Sequence, residues 1–149
     1  MSCEDCLNRR TFLAKSAVAA AAAALATGCG DGVFGPPLPT HGAGGVPSGT
    51  VTIKVADFPG LATVGMLVQV QLERAVVRTD PAAPSFLALS LICTHQGCDA
   101  AVTTTNIIEC PCHGSRYDNT GAVINGPATK ALAVIPSSYN PQTDELTIG

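Results

Sequence analysis

Cys93-Thr94-His95-Gln96-Gly97-Cys98 and Cys110-Pro111-Cys112-His113-Gly114-Ser115 are the two stretches on which the reading of this chain turns. From Cys93 to His113, 21 residues hold four of the seven cysteines and two of the three histidines. Each stretch offers a thiolate and an imidazole at short spacing, as Cys-x-His in the first and Cys-x-x-His in the second. Gly97 and Gly114 stand beside them and permit tight backbone turns. Sulfur and imidazole donors together suit zinc or an iron–sulfur centre. Spacing alone does not choose between these.

Three chemistries compete for the six groups. A structural zinc would take four of them in a tetrahedron. A nucleophilic cysteine activated by histidine would need one pair. A two-iron centre with two cysteines on one iron and two histidines on the other accounts for all six. It takes four ligands and leaves two cysteines for a disulfide, which an exported protein can keep. The two-iron centre is therefore the preferred reading, with zinc as the main alternative.

The flanking sequence predicts an antiparallel all-β domain of about 100 residues. Thr50–Val55 alternates as a half-buried strand does, and Met66–Leu72 alternates in its second half. Phe86–Ile92 is more continuously apolar, interrupted only by Ser90, and reads as buried on both faces. Ala131–Ile135 and Glu145–Ile148 read as closing strands. Asp57-Phe58-Pro59-Gly60 and Asn119-Thr120-Gly121 are turn signals. Hydrophobic residues make up 46% of the chain and charged ones 13%, the reverse of a disordered composition. The net charge is −3 and the eight basic residues form no patch, which argues against nucleic-acid binding. A core of this size is modest, so a crosslink or metal would help it.

The N-terminal segment, residues 1–29, reads as a targeting signal. Asn8-Arg9-Arg10-Thr11-Phe12-Leu13-Ala14-Lys15 resembles a twin-arginine export signal carried by Arg9 and Arg10. The apolar run Ser16–Thr27 is too short for a membrane span of about 20 residues and fits a signal-peptide core. Ala26-Thr27-Gly28-Cys29 resembles a bacterial lipobox, although Leu25 sits one position too early; Ala24-Leu25-Ala26 offers an ordinary cleavage site. The lipoprotein reading is preferred, with Cys29 as the lipidated residue, giving a periplasm-facing protein held at the membrane. Cys3 and Cys6 lie in the presumed leader and receive no role in the mature protein. Residues 30–49, with seven Gly and four Pro, read as a linker, and His41 within it has no assigned role. Clusters are assembled in the cytoplasm and their binding is coupled to folding. A route for already folded proteins therefore suits such a cargo.

Residues 50–149 resemble the Rieske iron–sulfur domain family along their whole length, with CTHQGC and CPCHGSRYD as its two boxes. The resemblance implies one [2Fe–2S] cluster per chain in loops 93–98 and 110–118. It puts Cys93 and Cys110 on one iron and His95 and His113 on the other. It implies a disulfide between Cys98 and Cys112. Ser115 and Tyr117 match hydroxyls that tune the potential, and Gly126-Pro127-Ala128 matches the loop that covers the cluster. The implied fold is an antiparallel β base with a small inserted cluster-binding subdomain. The implied function is one-electron transfer, as a carrier or as a subunit of a respiratory oxidoreductase rather than a stand-alone enzyme. Its implied partners are redox proteins such as cytochrome c, cytochrome b or a molybdenum-enzyme subunit. One departure is Gln96, where cytochrome bc members usually carry Leu. Quinol oxidation in such a complex therefore stands as an alternative. Less favoured alternatives are a ferredoxin component of an oxygenase and a zinc-binding module. A terminal oxygenase is excluded, because its iron needs two further histidines and only His41 lies outside the boxes.

Replacing Arg9 and Arg10 together with Lys should strand the precursor in the cytoplasm, as cell fractionation would show. Normal export would remove the twin-arginine reading. Mass spectrometry of the mature N-terminus should find a diacylglyceryl group on Cys29.

Overall fold

The computed structural model describes residues 42–83 and 85–149, which form three antiparallel sheets. Arg9, Arg10, Cys29 and His41 lie outside the described residues, as do the expected signal segment and the first part of the linker. The linker's last residues, 42–49, are hydrogen-bonded to the domain and do not run free of it.

The first sheet joins β1 (Val51–Lys54), β10 (Ser137–Asn140) and β11 (Glu145–Ile148) in the order β1-β11-β10. The second has the order β2-β3-β4-β9, from β2 (Leu67–Gln71), β3 (Arg74–Asp80), β4 (Ser85–Ser90) and β9 (Val134–Ile135). The third, β5 (Ala101–Val102), β6 (Ile108–Glu109), β7 (Arg116–Tyr117) and β8 (Val123–Asn125), is a chain of hairpins. β4 and β9 pair directly, Ala88 opposite Ile135, although 43 residues separate Ser90 from Val134. The third sheet and both Cys/His loops lie in that interval, so the subdomain is an insertion between neighbouring strands.

The second sheet is the shared layer. Side chains alternate faces along a strand. Ala75, Val77 and Leu89 join one core with Leu91, Ile108 and Tyr117 of the inserted subdomain. Val76 and Ala88 join the other with Ile135, Leu146 and Ile148 of the base. Both faces of β3 and β4 are therefore covered, and Leu89, Ser90, Leu91 and Ile92 are all buried. Asparagines tie the two parts together. Asn106 accepts from Leu67 N–H (2.6 Å), and Asn106 and Asn119 both donate to the Gly65 carbonyl (2.9 and 2.8 Å).

Two differences from the sequence reading matter most, besides the short strands β5–β8 and β10 that it did not assign. β3 went unread, although it is central: arginines at both ends of Ala75-Val76-Val77 mask an otherwise plain buried strand. The expected strand Ala131–Ile135 shrinks to Val134–Ile135, because Leu132 N–H turns away to the Gly121 carbonyl of the subdomain (2.9 Å).

Leu89 and Leu146 are buried in the two different cores. Leu89→Ala and Leu146→Ala should each cost about 2–5 kcal/mol in denaturant unfolding. A loss well below that range at either position would show that its core collapses around the gap.

Candidate metal centre

Two loops of the same backbone design build the site. In the first, Cys93 N–H donates to the Cys98 carbonyl (2.8 Å) and Gly97 N–H to the Cys93 carbonyl (2.9 Å). In the second, Cys110 N–H donates to the Ser115 carbonyl (2.8 Å) and Gly114 N–H to the Cys110 carbonyl (3.0 Å). Gly97 and Gly114 close these turns at φ +76° and +75°, a left-handed conformation that side-chain-bearing residues rarely adopt. The loops differ in where the imidazole stands, two residues after the cysteine in one and three after it in the other.

Cys98 and Cys112 are bonded to each other across the loops, with Cα atoms 6.6 Å apart. Cys93 and Cys110 are free thiols, each 1% exposed. The imidazoles of His95 and His113 meet edge to face with centroids 4.8 Å apart. His95 is half-buried with no partner for its enclosed Nδ1, while His113 is exposed. The sulfurs of Cys98, Cys110 and Cys112 also lie within 4.8 Å of one another. Two of these are joined in the disulfide, so only Cys110 has a thiolate to offer there.

The hydroxyls are organised around Cys93. Tyr117, fully buried, holds its oxygen 3.2 Å from Cys93 Sγ and accepts from Thr94 N–H (3.2 Å). Thr94 Oγ1 donates its single proton to the Lys130 carbonyl (2.6 Å) and lies 3.0 Å from the Tyr117 oxygen. Tyr117 is therefore the donor to Thr94 Oγ1, and Cys93 Sγ lies within reach of the same hydroxyl. Sequence reading passed over Thr94, because a threonine beside a cysteine carries no signal until its neighbours are known. Ser115, also fully buried, accepts from Ala128 N–H (3.0 Å). Asn125 Nδ2 donates to the Gly114 carbonyl (3.1 Å). These two bonds hold the Gly126–Ala128 segment, with its cis Gly126–Pro127 peptide, against the second loop.

Burial pushes the Cys93 thiol up. The Tyr117 hydroxyl, the backbone at His95 and the Cys110 and Ser115 side chains outweigh it, so Cys93 ionises more readily than usual. Burial and the neighbouring Cys93 push Cys110 the other way. Burial, then the bond to Cys93, raises Tyr117 to about 12. The two thiols are thus pushed in opposite directions, Cys93 toward its thiolate and Cys110 away from it.

Two buried free thiols, two imidazoles in contact and one enclosed, partnerless ring nitrogen stand on an all-β scaffold, donors of the class that zinc and iron–sulfur proteins use. The profile of the Rieske [2Fe-2S] domain matches residues 50–136. The chain therefore belongs to the Rieske [2Fe-2S] domain family, and the cofactor of such a domain is a [2Fe–2S] cluster. The cytochrome b6-f complex iron-sulfur subunit of Synechococcus elongatus is 34% identical over 95 residues, 58% of this chain and 51% of that protein. The corresponding subunit of Cyanothece sp. is 54% identical over 50 residues, 31% of this chain and 26% of that protein. The chain thus spans about half the length of the first of these relatives, or less. The crystal structure of the cyanobacterial plasma membrane Rieske protein PetC3 from Synechocystis PCC 6803 matches 51% of this chain and 75% of that one. Identity is 26% and the TM-score 0.44. Among the described residues no helix is long and apolar enough to cross a membrane.

Thiol labelling should leave Cys98 and Cys112 unreactive until a reductant is added. Replacing both with Ser should loosen the loops and make the cluster labile, read as faster bleaching under a chelator. Free thiols at both positions in aerobically purified protein would contradict the bond.

Proposed function

We propose that the chain is a one-electron transfer protein in which Cys93 and Cys110 bind one iron and His95 and His113 the other. The observation that carries this reading is the donor set: two buried free thiols, the enclosed partnerless Nδ1 of His95, and the His113 imidazole beside it. When bound, the cluster supplies a one-electron couple, and imidazole in place of two thiolates lifts its potential to about −150 to +300 mV, against about −400 mV for plant-type ferredoxins.

The rest of the site serves that couple. As iron ligands Cys93 and Cys110 would carry their negative charge inside the domain, with the Tyr117 hydroxyl beside Cys93. The neutral imidazoles bring no charge, and the exposed His113 ring is where a partner protein can approach. Tyr117 O–H directed at Cys93 Sγ withdraws charge from that sulfur and favours the reduced state. Ser115 anchors the Gly126-Pro127-Ala128 cover, and its own proton is available to a sulfur.

The domain assignment follows: a signal segment over 1–29, a linker over 30–49 whose last residues, 42–49, are fastened to the domain, and the cluster domain over 50–149. The twin-arginine-like leader and Cys29 support a periplasm-facing protein anchored by lipid. Its partners are then redox proteins of that compartment, such as a cytochrome c, a cytochrome b or a molybdenum-enzyme subunit. A second reading is quinol oxidation within a cytochrome bc-type complex. Its support is that the matched relatives are cytochrome b6-f iron-sulfur subunits.

Protein matured in cells should be red-brown with two irons per chain, and the reduced form should give the Rieske-type paramagnetic signal. A colourless sample with stoichiometric zinc would sink the proposal. Tyr117→Phe and Ser115→Ala should each lower the potential by tens of millivolts to roughly 100 mV. Cluster content should be retained in both. Voltammetry decides: an unmoved potential in both variants would mean that these hydroxyls act elsewhere.

A further inference from the structure

Residues 42–49 belong to none of the three sheets, yet they are fastened along their length. Near β1, the Arg74 guanidinium, only 4% exposed, donates from Nη2 to the carbonyls of Pro47 (3.3 Å), Ser48 (3.1 Å) and Gly49 (2.5 Å). Gln71 Oε1 accepts from its Nη1 (2.7 Å) and orients the group. Midway, the buried Ser90 donates to the Gly45 carbonyl (2.8 Å). At the far end Gly44 N–H donates to the carbonyl of Cys93 (3.2 Å). Gly44 has φ +70°, and a Cβ there would meet Thr94 Cγ2 at 3.2 Å.

Burying a guanidinium is costly unless its donors are matched. Arg74 aims Nη2 at three carbonyls of a segment that has no ladder of its own and Nη1 at Gln71, leaving Nε without a partner, so the segment depends on the arginine for its carbonyls and the arginine on the segment for Nη2. The segment's other end lands on the first cluster loop. The Cys93 carbonyl accepts from Gly97, which closes the loop, and from Gly44, which ties it to the base. The next residue is Thr94, whose N–H and Oγ1 both meet the Tyr117 oxygen that faces Cys93 Sγ.

We infer that residues 42–49 are a strap that holds the Cys93–Thr94 peptide in place, with Arg74 and Gly44 as positioning residues for the iron–sulfur centre. The strap sets how well Tyr117 can donate to Cys93, and so it acts on the potential without touching the metal. It rests on the proposed roles of Cys93 and Tyr117. Chain order adds a consequence. The strap lies between the N-terminal segment and β1, so a displacement arriving from residues before 42 reaches the cluster loop before it reaches the base.

The test uses the full-length, cluster-loaded protein. Arg74→Met removes the fastening, and Gly44→Val strains the loop end through its positive φ while leaving the core intact. Both should lower the potential by less than Tyr117→Phe does, and the effect should vanish in a Tyr117→Phe background. Hydrogen exchange of the Cys93–Gly97 peptide should be at least tenfold faster in both variants. Arg74→Lys, which keeps one donor for the strap carbonyls, should fall between Arg74→Met and the parent. Accelerated exchange with an unchanged potential would reduce the strap to a stability element and overturn the inference, as would unchanged exchange in both variants. Should Arg74→Met not fold, Gly44→Val decides alone. A Tyr117→Phe potential equal to that of the parent would count against the role of Tyr117 itself. The exchange measurement would still report on the strap.

Discussion

The Cys98–Cys112 bond is the constraint on which the site depends. It is the covalent link between the loops, beside the Tyr117 contacts to Cys93 and Thr94. The first ends on a single bridge, Ile92 opposite Asp99, and the second spans the gap between two-residue strands. Closing a loop of about 15 residues is worth roughly 3 kcal/mol in the chain-entropy model, a large share of what a small domain has to spare. The bond also decides the chemistry. By withdrawing two sulfurs it leaves Cys93 and Cys110 as the thiols of the site, and these sit with two imidazoles.

The base supplies what the loops lack. Cys93, Cys110 and Tyr117 belong to the same buried cluster as Val77 and Leu89, so the second sheet is the floor on which the site rests. Buried thiols and hydroxyls in that floor must find partners, because an unmatched polar group inside is costly. The outcome is a short network through Tyr117, Thr94 and the Lys130 carbonyl that stiffens the first loop, and one through Ser115 and Ala128 that holds the cover on the second. Rigidity suits a centre that exchanges electrons, because bonds that stay in place do not have to be remade when its charge changes. The Gly65 clasp by Asn106 and Asn119 extends the same stiffness across the junction between subdomain and base.

Charge is distributed with the same economy. The thiols lie inside, where hydroxyls and amides face them, and the exposed His113 ring lies at the surface. The surface therefore presents an imidazole while the sulfurs stay shielded from water. The bc-type relatives share this domain, but the chain covers only about half of the first of them.

Much of this was legible in the residues themselves. Metal-donor chemistry is local: a cysteine and a histidine two or three residues apart, beside a glycine, can be recognised without knowing the fold. Strands such as Val51–Lys54 and Glu145–Ile148 were legible for a similar reason, since a half-buried strand writes its two faces into alternation. Other features depended on partners far along the chain. β3 is buried on both faces with arginine at either side of its apolar run, and only its neighbours β2 and β4 make it the centre of a sheet. Leu132 lies in a stretch of strand composition but turns its N–H to Gly121. Arg74 reads as an ordinary charge until Pro47, Ser48 and Gly49 are seen to surround it. Thr94 becomes significant only when it competes with a cysteine for one tyrosine proton. Sequence alone determined which chemical groups were present and at what local spacing. The tertiary structure decided which of them meet, because hydrogen bonds and burial are settled by distances in space between residues that lie dozens of positions apart.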